Sequence, residues 1–549
     1  MIDLPDVTAA IATLGQLDTS RSIFVDKLGD LWPEIAMLIG ATLCLFTGLS
    51  RRAFVRRTMT PWIAGTTLVV AGLLTVLLEQ VGSATPGLAV GGLQWFVKLA
   101  VAIWGFVLLL IAVNQPNQLQ QNRLADASKS FEPGDGVRGE FFAFFLFSLT
   151  GVMFTADAGD LVWLFLALEL TSLPTYVLVA TSRDRIEAQE SAVKYFFLGA
   201  LAAAVFLYGF TLIYGAAGTT ELAAIAEHVQ IAGISPLMMA GLILAVLGIC
   251  FKIAAFPMHF YAADVYQGAA TPVTAFLAFV PKTAGFAALI LLLATVQPLP
   301  GLLVVLLSAI AIVTMTLGNV LALLQQNVKR VLAYSSIAHS GYIMVGLIAG
   351  LAVEPDVLAG AAGGGGVMNN GIAAVLFYLV AYASGTIGSF AIFGCVQRDG
   401  REIESYDDIA GLRRRRPLLG WVLLVSVISL LGIPPLVGFV GKLTLLGSAF
   451  GAGLTVLVIA VVLNSAISAG YYLKIASVVF FGTSRHTLDD VPTVARRVGA
   501  AFAAFLAIGL GVGGNFLIDF AHDAVTAEPP SVVESIPEAS PPTDADERG

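Results

Sequence analysis

Charge is scarce in this chain of 549 residues. Only 12% of them are Asp, Glu, Lys or Arg, while 57% are apolar, and a soluble protein carries about 25% charged residues. Water therefore cannot be the solvent for most of the molecule, and the composition reads as a polytopic membrane protein. Basic clustering is also missing: the net charge is −8 with no basic domain, which excludes a nucleic-acid binder. Cysteine is nearly absent. Cys44, Cys250 and Cys395 lie far apart in apolar runs without a CxxC pair, which excludes a disulfide framework or a thiolate metal cluster and leaves them as small packing residues. The first thirty residues lack the positive flank of a secretory signal, holding Asp3, Asp6, Asp18, Asp26 and Asp30 against Arg21 and Lys27. No cleavable signal is expected, so the first helix is retained. GLGVGG at 509–514 matches GxGxxG, but no strand precedes it, and it reads as helix-packing glycine rather than a nucleotide loop.

Long apolar runs are what the sequence has. About 20 such residues cross a bilayer as a helix, and runs lie near 33–49, 62–82, 95–113, 140–156, 160–180, 190–214 and 236–268. Further runs lie near 271–296, 301–324, 330–353, 370–396, 417–449, 452–480 and 497–518, which makes fourteen spans. Cytoplasmic loops collect Lys and Arg. With residue 1 outside, twenty basic residues fall in inside loops, among them Arg51, Arg123, Lys129, Lys329, Arg330 and the run Arg413 to Arg416. Outside segments hold three: Arg21, Lys27 and Arg548. A missed helix would invert every later loop, so the ratio supports both the count and extracytoplasmic termini. The tail from 524 on is rich in Pro, Glu, Asp and Ser and is expected to be disordered. AAGGGGVMNN at 361–370 reads as an outside connector.

The six remaining basic residues lie within spans and all are lysine: Lys98, Lys194, Lys252, Lys282, Lys442 and Lys474. A buried lysine can give up its proton, whereas arginine effectively cannot, so the selection points to a proton relay. Lys98 and Lys474 stand near span ends, where a long side chain snorkels to the headgroups. Lys194 has Glu190 one turn before it, the spacing of an ordinary helix pair. Lys252, Lys282 and Lys442 are central, where an unpaired ammonium costs at least about 2.5–3.5 kcal/mol, and a functional role is expected for them.

Glu169, in LVWLFLALELTSLPTYVLVA, is the carboxylate at mid-span, and with no basic residue in its own run its expected partner is a lysine on another helix. His259 and Asp264 follow Lys252 in PMHFYAADVYQG, where Pro257 removes a backbone donor. His339 is the other buried histidine candidate, since imidazole can pass a proton through its two nitrogens. A structural hydrogen bond between helices is the competing role for both. His228, His486 and His522 are loop or tail residues without an assigned part. Pro434 and Pro435 precede Lys442 in a second break. Two Pro-broken helices five spans apart, each with a buried lysine, suggest two inverted five-helix repeats, because five is odd and such breaks mark ion pathways.

At these residues the chain resembles a known family. ALELTSLPTYVL, FKIAAFPMHFYAADVYQGAATPVTAFLAFVPKTAGFAAL, NVKRVLAYSSIAHSGYIMVG and GIPPLVGFVGKL are similar to the antiporter-like subunit N of NADH-quinone oxidoreductase, bacterial respiratory complex I. The resemblance covers nearly all of 33–520 and departs at Phe260-Tyr261-Ala262-Ala263, where the family often has Trp-x-Pro. It implies an all-α fold of fourteen transmembrane helices, with inverted repeats in spans 4–8 and 9–13. The expected divisions are 1–32 outside, 33–138 for the first three helices, 139–300 and 301–482 for the repeats, 483–523 for the last helix, and 524–549 for the tail. It further implies relay roles for Glu169, Lys252, Lys282 and Lys442, with Lys194 at the charged position of the sixth span. No flavin, iron–sulfur cluster or quinone site is expected on this chain; FMN, clusters and quinone belong to partner subunits. Expected partners are subunit M, the small subunits linking to the quinone site, and the lipid of a bacterial cytoplasmic membrane, in an obligate hetero-oligomer. A cation/proton antiporter subunit, or a scaffold whose charges lock helices, would use the same residues.

Overall fold

The computed structural model describes residues 31–50, 52, 54–78, 92–113, 137–181, 186–353, 370–398, 401–483, 489–490 and 494–526. The first thirty residues, the 361–369 part of the glycine-rich connector, Arg123, Lys129 and the tail beyond 526 lie outside them. Helices α1 Trp32–Gly48, α2 Thr60–Leu78 and α3 Leu93–Ala112 come first, with a π-helical turn at Val55–Met59 ahead of α2. Then follow α4 Val137–Ala156, α5 Leu161–Thr181, α6 Ile186–Ala217, the short α7 Leu222–Ala232, α8 Pro236–Ile249, α9 Tyr261–Gly268 and α10 Thr271–Ala294. The remainder comprises α11 Gly301–Leu323, α12 Val328–Leu351, α13 Gly371–Cys395, α14 Pro417–Leu431, α15 Val437–Gly451, α16 Thr455–Phe481, α17 Val494–Val512 and α18 Asn515–Thr526. Two single turns, Tyr406–Ile409 and Leu412–Arg415, lie between α13 and α14. Among the described residues eleven helices are long and apolar enough to cross a membrane.

Local sequence explains the boundaries. Asn327 caps α12, accepting from the Lys329 and Arg330 amides at 2.9 and 3.2 Å, and Asn370 caps α13 through Ile372 and Ala373 at 3.0 and 3.1 Å. Proline opens α8, α10 and α14 at positions where its missing N–H costs nothing. Both expected breaks are present. Cys250–Phe260 leaves the helical path between α8 and α9, with Ala254 in the left-handed region at φ 54°. Gly432 to Leu436 does so between α14 and α15, with Gly432 at φ 87°.

Two features depart from the sequence reading. The last apolar run is divided: α17 ends at Val512, and α18 lies beyond Gly513 and Gly514 and continues to Thr526. Within GLGVGG, Gly511 is a packing glycine, since a Cβ there would lie 2.0 Å from the Pro435 carbonyl oxygen. A small sheet accompanies the helices, β1 Val396–Arg398 between β2 Arg401–Glu402 and β3 Asp489–Asp490, antiparallel on both sides. It ties the end of α13 to the segment before α17.

Packing follows membrane rules, in which small residues let backbones approach. Between α6 and α8, added Cβ atoms on Gly209, Gly241 and Gly248 would meet backbone atoms at 2.5, 2.8 and 2.6 Å. Every residue of α10 and α13 is buried, so these helices form the centre. By contrast α2 and α16 expose Leu73, Leu77, Val456 and Leu463 on their outer faces, as lipid-facing helices do.

Candidate functional site

The break after α8 exists because several groups take over the backbone bonds that a helix would make. The Phe256 amide donates to Thr314 Oγ1 at 3.0 Å, the Ala255 amide to the Cys250 carbonyl at 2.8 Å, and Tyr261 Oη to the Phe251 carbonyl at 2.8 Å. Ser340 Oγ donates to the Ile253 carbonyl. Irregular backbone at membrane depth survives only with such partners. The segment holds Lys252, buried at 3% exposure. Its Nζ lies 3.0 Å from Glu169 Oε1, also bonds Ser172 Oγ, and reaches the Leu168 carbonyl at 3.4 Å. The mid-span carboxylate and the broken-helix lysine thus meet across α5 and the break.

Lys282 follows Pro281, a residue that removes one bond of the α10 ladder. Its Nζ donates to the Ser336 carbonyl and hydroxyl at 2.5 and 2.8 Å and lies 4.3 Å from the centre of the Tyr382 ring. Tyr382 Oη donates to the same hydroxyl at 2.7 Å. Gly285, one turn further along α10, lets that helix press on the break: a Cβ there would lie 3.0 Å from Lys252 Cβ and 2.5 Å from Ile253 Cγ2. Ser340 bridges the two lysine regions, bonding Ile253 on one side and the Ser336 carbonyl at 3.3 Å on the other.

His339 takes hydroxyl partners on both ring nitrogens, Tyr378 at Nδ1 (2.8 Å) and Tyr472 at Nε2 (2.9 Å). Tyr472 also bonds Ser335. The ring lies 5.0 Å from that of Tyr382 and 5.6 Å from that of Tyr342. Lys442 completes the series: its Nζ donates to the Leu431 carbonyl at the second break at 2.8 Å and lies 5.1 Å from the Tyr342 ring centre. Behind Tyr342, Asn319 joins the Tyr342 and Tyr471 hydroxyls, each at 2.9 Å, to Asn464 at 3.2 Å. The result is a band of lysines, hydroxyls and one imidazole running from α5 to α15 through the all-buried centre.

Some candidates stand apart. His259 is buried beside Phe256 and Phe260, its Nδ1 has no hydrogen-bond partner among the described residues, and no bond joins it to Lys252 or Lys282. Asp264 lies at a polar mouth, accepting from Lys194 at 3.0 Å and from Arg330 at 2.8 Å. Lys194 also keeps its i,i+4 partner Glu190 at 2.7 Å, and its side chain is 44% exposed. Lys194, Glu190 and Asp264 line a cleft of about 280 Å³ with Glu187, Gln267 and Glu404.

Lys98 does not snorkel. It is buried between Glu34 and Asp157, each 3.0 Å from its Nζ. Lys474 is half-buried over the Tyr406 ring at 4.2 Å. Lys329, counted from sequence as a loop cation, is fully buried 2.5 Å from Glu402, which also accepts from the Thr271 amide and hydroxyl. The sequence reading missed Ser336, Tyr382, Tyr378 and Tyr472, four buried hydroxyl residues of otherwise apolar helices. In the loop after α13, Asp408 forms a capping box with Ser405. Burial acts to raise its pKa, but Arg398 at 2.8 Å and the Ser405 and Glu404 amides overcome this and hold it below the ordinary value.

Helices broken at bilayer depth, with a buried lysine at each break and a third between them, define a multi-pass membrane protein of the antiporter-like class. Residues 158–468 match the family described as NADH:quinone oxidoreductase/Mrp antiporter, TM. NADH-quinone oxidoreductase subunit N of Trichlorobacter lovleyi is 40% identical over 396 residues, covering 70% of this chain and 77% of its own. Its counterpart in Rhodospirillum rubrum is 33% identical over 508 residues, 91% of this chain and 97% of its own. A chain of respiratory complex I from Thermus thermophilus, solved with bound aureothin, superposes with a TM-score of 0.69 at 29% identity, covering 89% of this chain and 98% of that one. The chain belongs to the subunit N family of NADH-quinone oxidoreductase.

Proposed function

We propose that this chain is a proton-translocating membrane-arm subunit of an NADH:quinone oxidoreductase, moving protons outward through Lys252, Lys282 and Lys442. The observation that carries this reading is the polar band itself: three buried lysines at two breaks and one proline, with Ser340 bonded to the Ile253 and Ser336 carbonyls, Ser336 bonded to Lys282 and Tyr382, and the His339 ring 5.0 Å from that of Tyr382, in otherwise apolar surroundings. Protons enter at the Asp264 mouth, reach Lys252, pass by Ser340 and Ser336 to Lys282, and leave by His339 and Lys442. On this reading Ser340 and Ser336 stand in place of His259 between the first two lysines: Ser340 bonds the Ile253 carbonyl beside Lys252 and Ser336 bonds Lys282, whereas among the described residues no bond joins His259 to either lysine. Glu169 sets the state of Lys252: while paired it holds the ammonium, and separation releases the proton.

The fourteen-span reading counts α8 with α9, and α14 with α15, as one crossing each. The two inverted repeats then run from α4 to α10 and from α11 to α16. The positive-inside count places Asp264, Lys194 and Arg330 at the cytoplasmic face and both termini outside, in a bacterial cytoplasmic membrane. Driving one proton outward against 100 mV costs about 2.3 kcal/mol, so the energy comes from quinone reduction in partner subunits. FMN and iron–sulfur clusters belong to those partners, for the three cysteines here are dispersed and buried. Subunit M and the small subunits leading to the quinone site are the proposed neighbours.

The test is Lys252→Ala in the assembled complex, which should lower proton pumping and coupled NADH oxidation together. Full pumping in an assembled variant would overturn the reading. A cation/proton antiporter role shares the family description, and purification of the native protein separates the two. Co-migration with a flavin and iron–sulfur arm supports the first, and absence of any redox subunit supports the second.

A further inference from the structure

Glu34, Lys98 and Asp157 take no part in the band above. Glu34 stands in the first turn of α1, Lys98 in the second turn of α3, and Asp157 one residue beyond α4. Chain direction places all three at the end of the bundle opposite Lys194 and Asp264, because α5 starts near Asp157 and ends where α6 begins. The side chains of Glu34, Lys98 and Asp157 are 0%, 6% and 7% exposed. One ammonium therefore faces two carboxylates in a dry site. Apart from that ammonium, no donor among the described residues reaches any of the four carboxylate oxygens.

Among the described residues the surroundings do not supply a second cation. α1 carries no other charged residue, α2 carries none, and α3 carries none besides Lys98. Glu140 is at the far end of α4, and Glu169 is committed to Lys252. Asp160 is used as the cap of α5, accepting from the Val162 and Trp163 amides at 2.9 Å each. α18 covers the start of α3, with Phe520 against Trp95 and Phe96 and the Gly92 amide donating to the Ala524 carbonyl at 2.8 Å. It carries Asp519, which is exposed, and His522, which is half-buried.

Two carboxylates sharing one site do not both remain ionised when water is excluded and only one positive charge is present. We propose that Glu34 and Asp157 form a proton-binding site, one exchangeable proton held between the two carboxyl groups beside the Lys98 ammonium. The occupied cluster is neutral: one carboxylate, one carboxylic acid and one ammonium. Where the chain translocates protons outward, this end is the exit side and the site is a waiting position for a proton leaving the bundle. That use rests on the translocation reading, whereas occupancy does not.

Infrared spectroscopy of the purified native complex tests the proposal through the C=O stretch of a protonated carboxyl. Glu34→Gln and Asp157→Asn each leave one acid against one lysine, so either should remove one carboxylic band relative to wild type. Lys98→Met leaves two acids without the ammonium and should add band intensity, because both carboxyls then take a proton. Native spectra unchanged by either amide substitution would overturn the proposal. So would a band absent in sodium buffer that appears only after exchange into a bulky organic cation, since a bound metal ion would then be balancing the charge. A Lys252→Ala complex that still pumps sinks the translocation reading while leaving this band in place, so the two failures are distinguishable.

Discussion

Shortening Glu169 by one methylene tests the gate at Lys252 quantitatively. In Glu169→Asp the carboxylate retreats by about 1.5 Å, from 3.0 Å to about 4.5 Å from Lys252 Nζ. With an effective dielectric of about 20, the pair interaction falls by about 2 kcal/mol. At about 1.4 kcal/mol per tenfold, any step that needs the ammonium held at that place slows by up to about 30-fold. Glu169→Gln removes the charge outright and leaves a buried ammonium against Ser172 and the Leu168 carbonyl. Breaking such a pair costs about 3–5 kcal/mol, which is more than 100-fold. The assay is proton uptake into vesicles containing the assembled complex, measured beside NADH:quinone activity, with assembly checked on native gels. The expected order is wild type, then Asp, then Gln. The double reversal Glu169→Lys with Lys252→Glu separates relay from scaffold. A pair that only locks helices is restored by exchange, whereas a relay is not, because the carboxylate then at the break stays ionised beside the lysine and holds no proton to pass to Lys282. Near-native pumping in the double reversal would refute the reasoning.

Tyr472→Phe removes the hydroxyl that joins His339 Nε2 to Ser335. One hydrogen bond is worth about 0.5–1.5 kcal/mol net, so pumping should fall about 2- to 12-fold with assembly intact, and an unchanged rate would take Tyr472 out of the path. Gly248→Val sets a branched side chain where even a Cβ would lie 2.6 Å from the Phe206 amide nitrogen. Overpacking costs about 1–3 kcal/mol or more, and the expected result is less assembled complex on native gels, whereas Ala substitution at the open Gly509 leaves assembly unchanged. Asp408→Ala should speed hydrogen exchange in the 396–412 loop by removing both its capping box and its Arg398 partner, a loss of about 0.5–2 kcal/mol. Because the folded carboxyl titrates below its ordinary value, this contribution is full above about pH 4 and is lost as pH falls through the lower folded value. Wild type and variant should therefore converge in strong acid and differ at neutral pH.

Spans and breaks were legible because they rest on one-dimensional rules: apolar length, proline without an N–H, and the rarity of charge in hydrocarbon. Glu169 could be matched to a lysine on another helix for the same reason, although which lysine required three dimensions. The failures have a common cause. Lys98 near a span end and Lys329 at a helix start look solvent-reaching by position, yet α1 brings Glu34 to one and β2 brings Glu402 to the other. Depth along a helix does not report lateral burial. His259 drew attention because it follows the break; its ring packs beside Phe256 and Phe260, and its Nδ1 has no hydrogen-bond partner among the described residues. Serine and tyrosine are common enough in membrane helices that nothing in the sequence distinguishes a relay hydroxyl from one that bonds its own helix, as Ser389 does to Gly385.

The three central lysines are held in two different ways, and the difference assigns them different work. Lys252 is held by a full opposite charge, whereas among the described residues Lys282 and Lys442 are held by carbonyl and hydroxyl dipoles and aromatic faces. A proton can leave either of the latter without separating an ion pair, but leaving Lys252 strands the Glu169 charge in a low-dielectric site, a cost of several kcal/mol. Release at Lys252 therefore needs the carboxylate to move or be neutralised, and the later steps do not. In the proposed repeats α12 is the counterpart of α5, and where α5 offers Glu169 to the first break, α12 offers the Tyr342 ring to the second. The pseudo-symmetry is thus broken at the one side chain that would make the second break another charge-locked gate. On the proposed translocation reading, control of direction follows from this asymmetry: an external event that acts on Glu169 would govern the whole band, while a similar displacement at Tyr342 would alter only a weak cation–π contact worth about 0.5–2 kcal/mol.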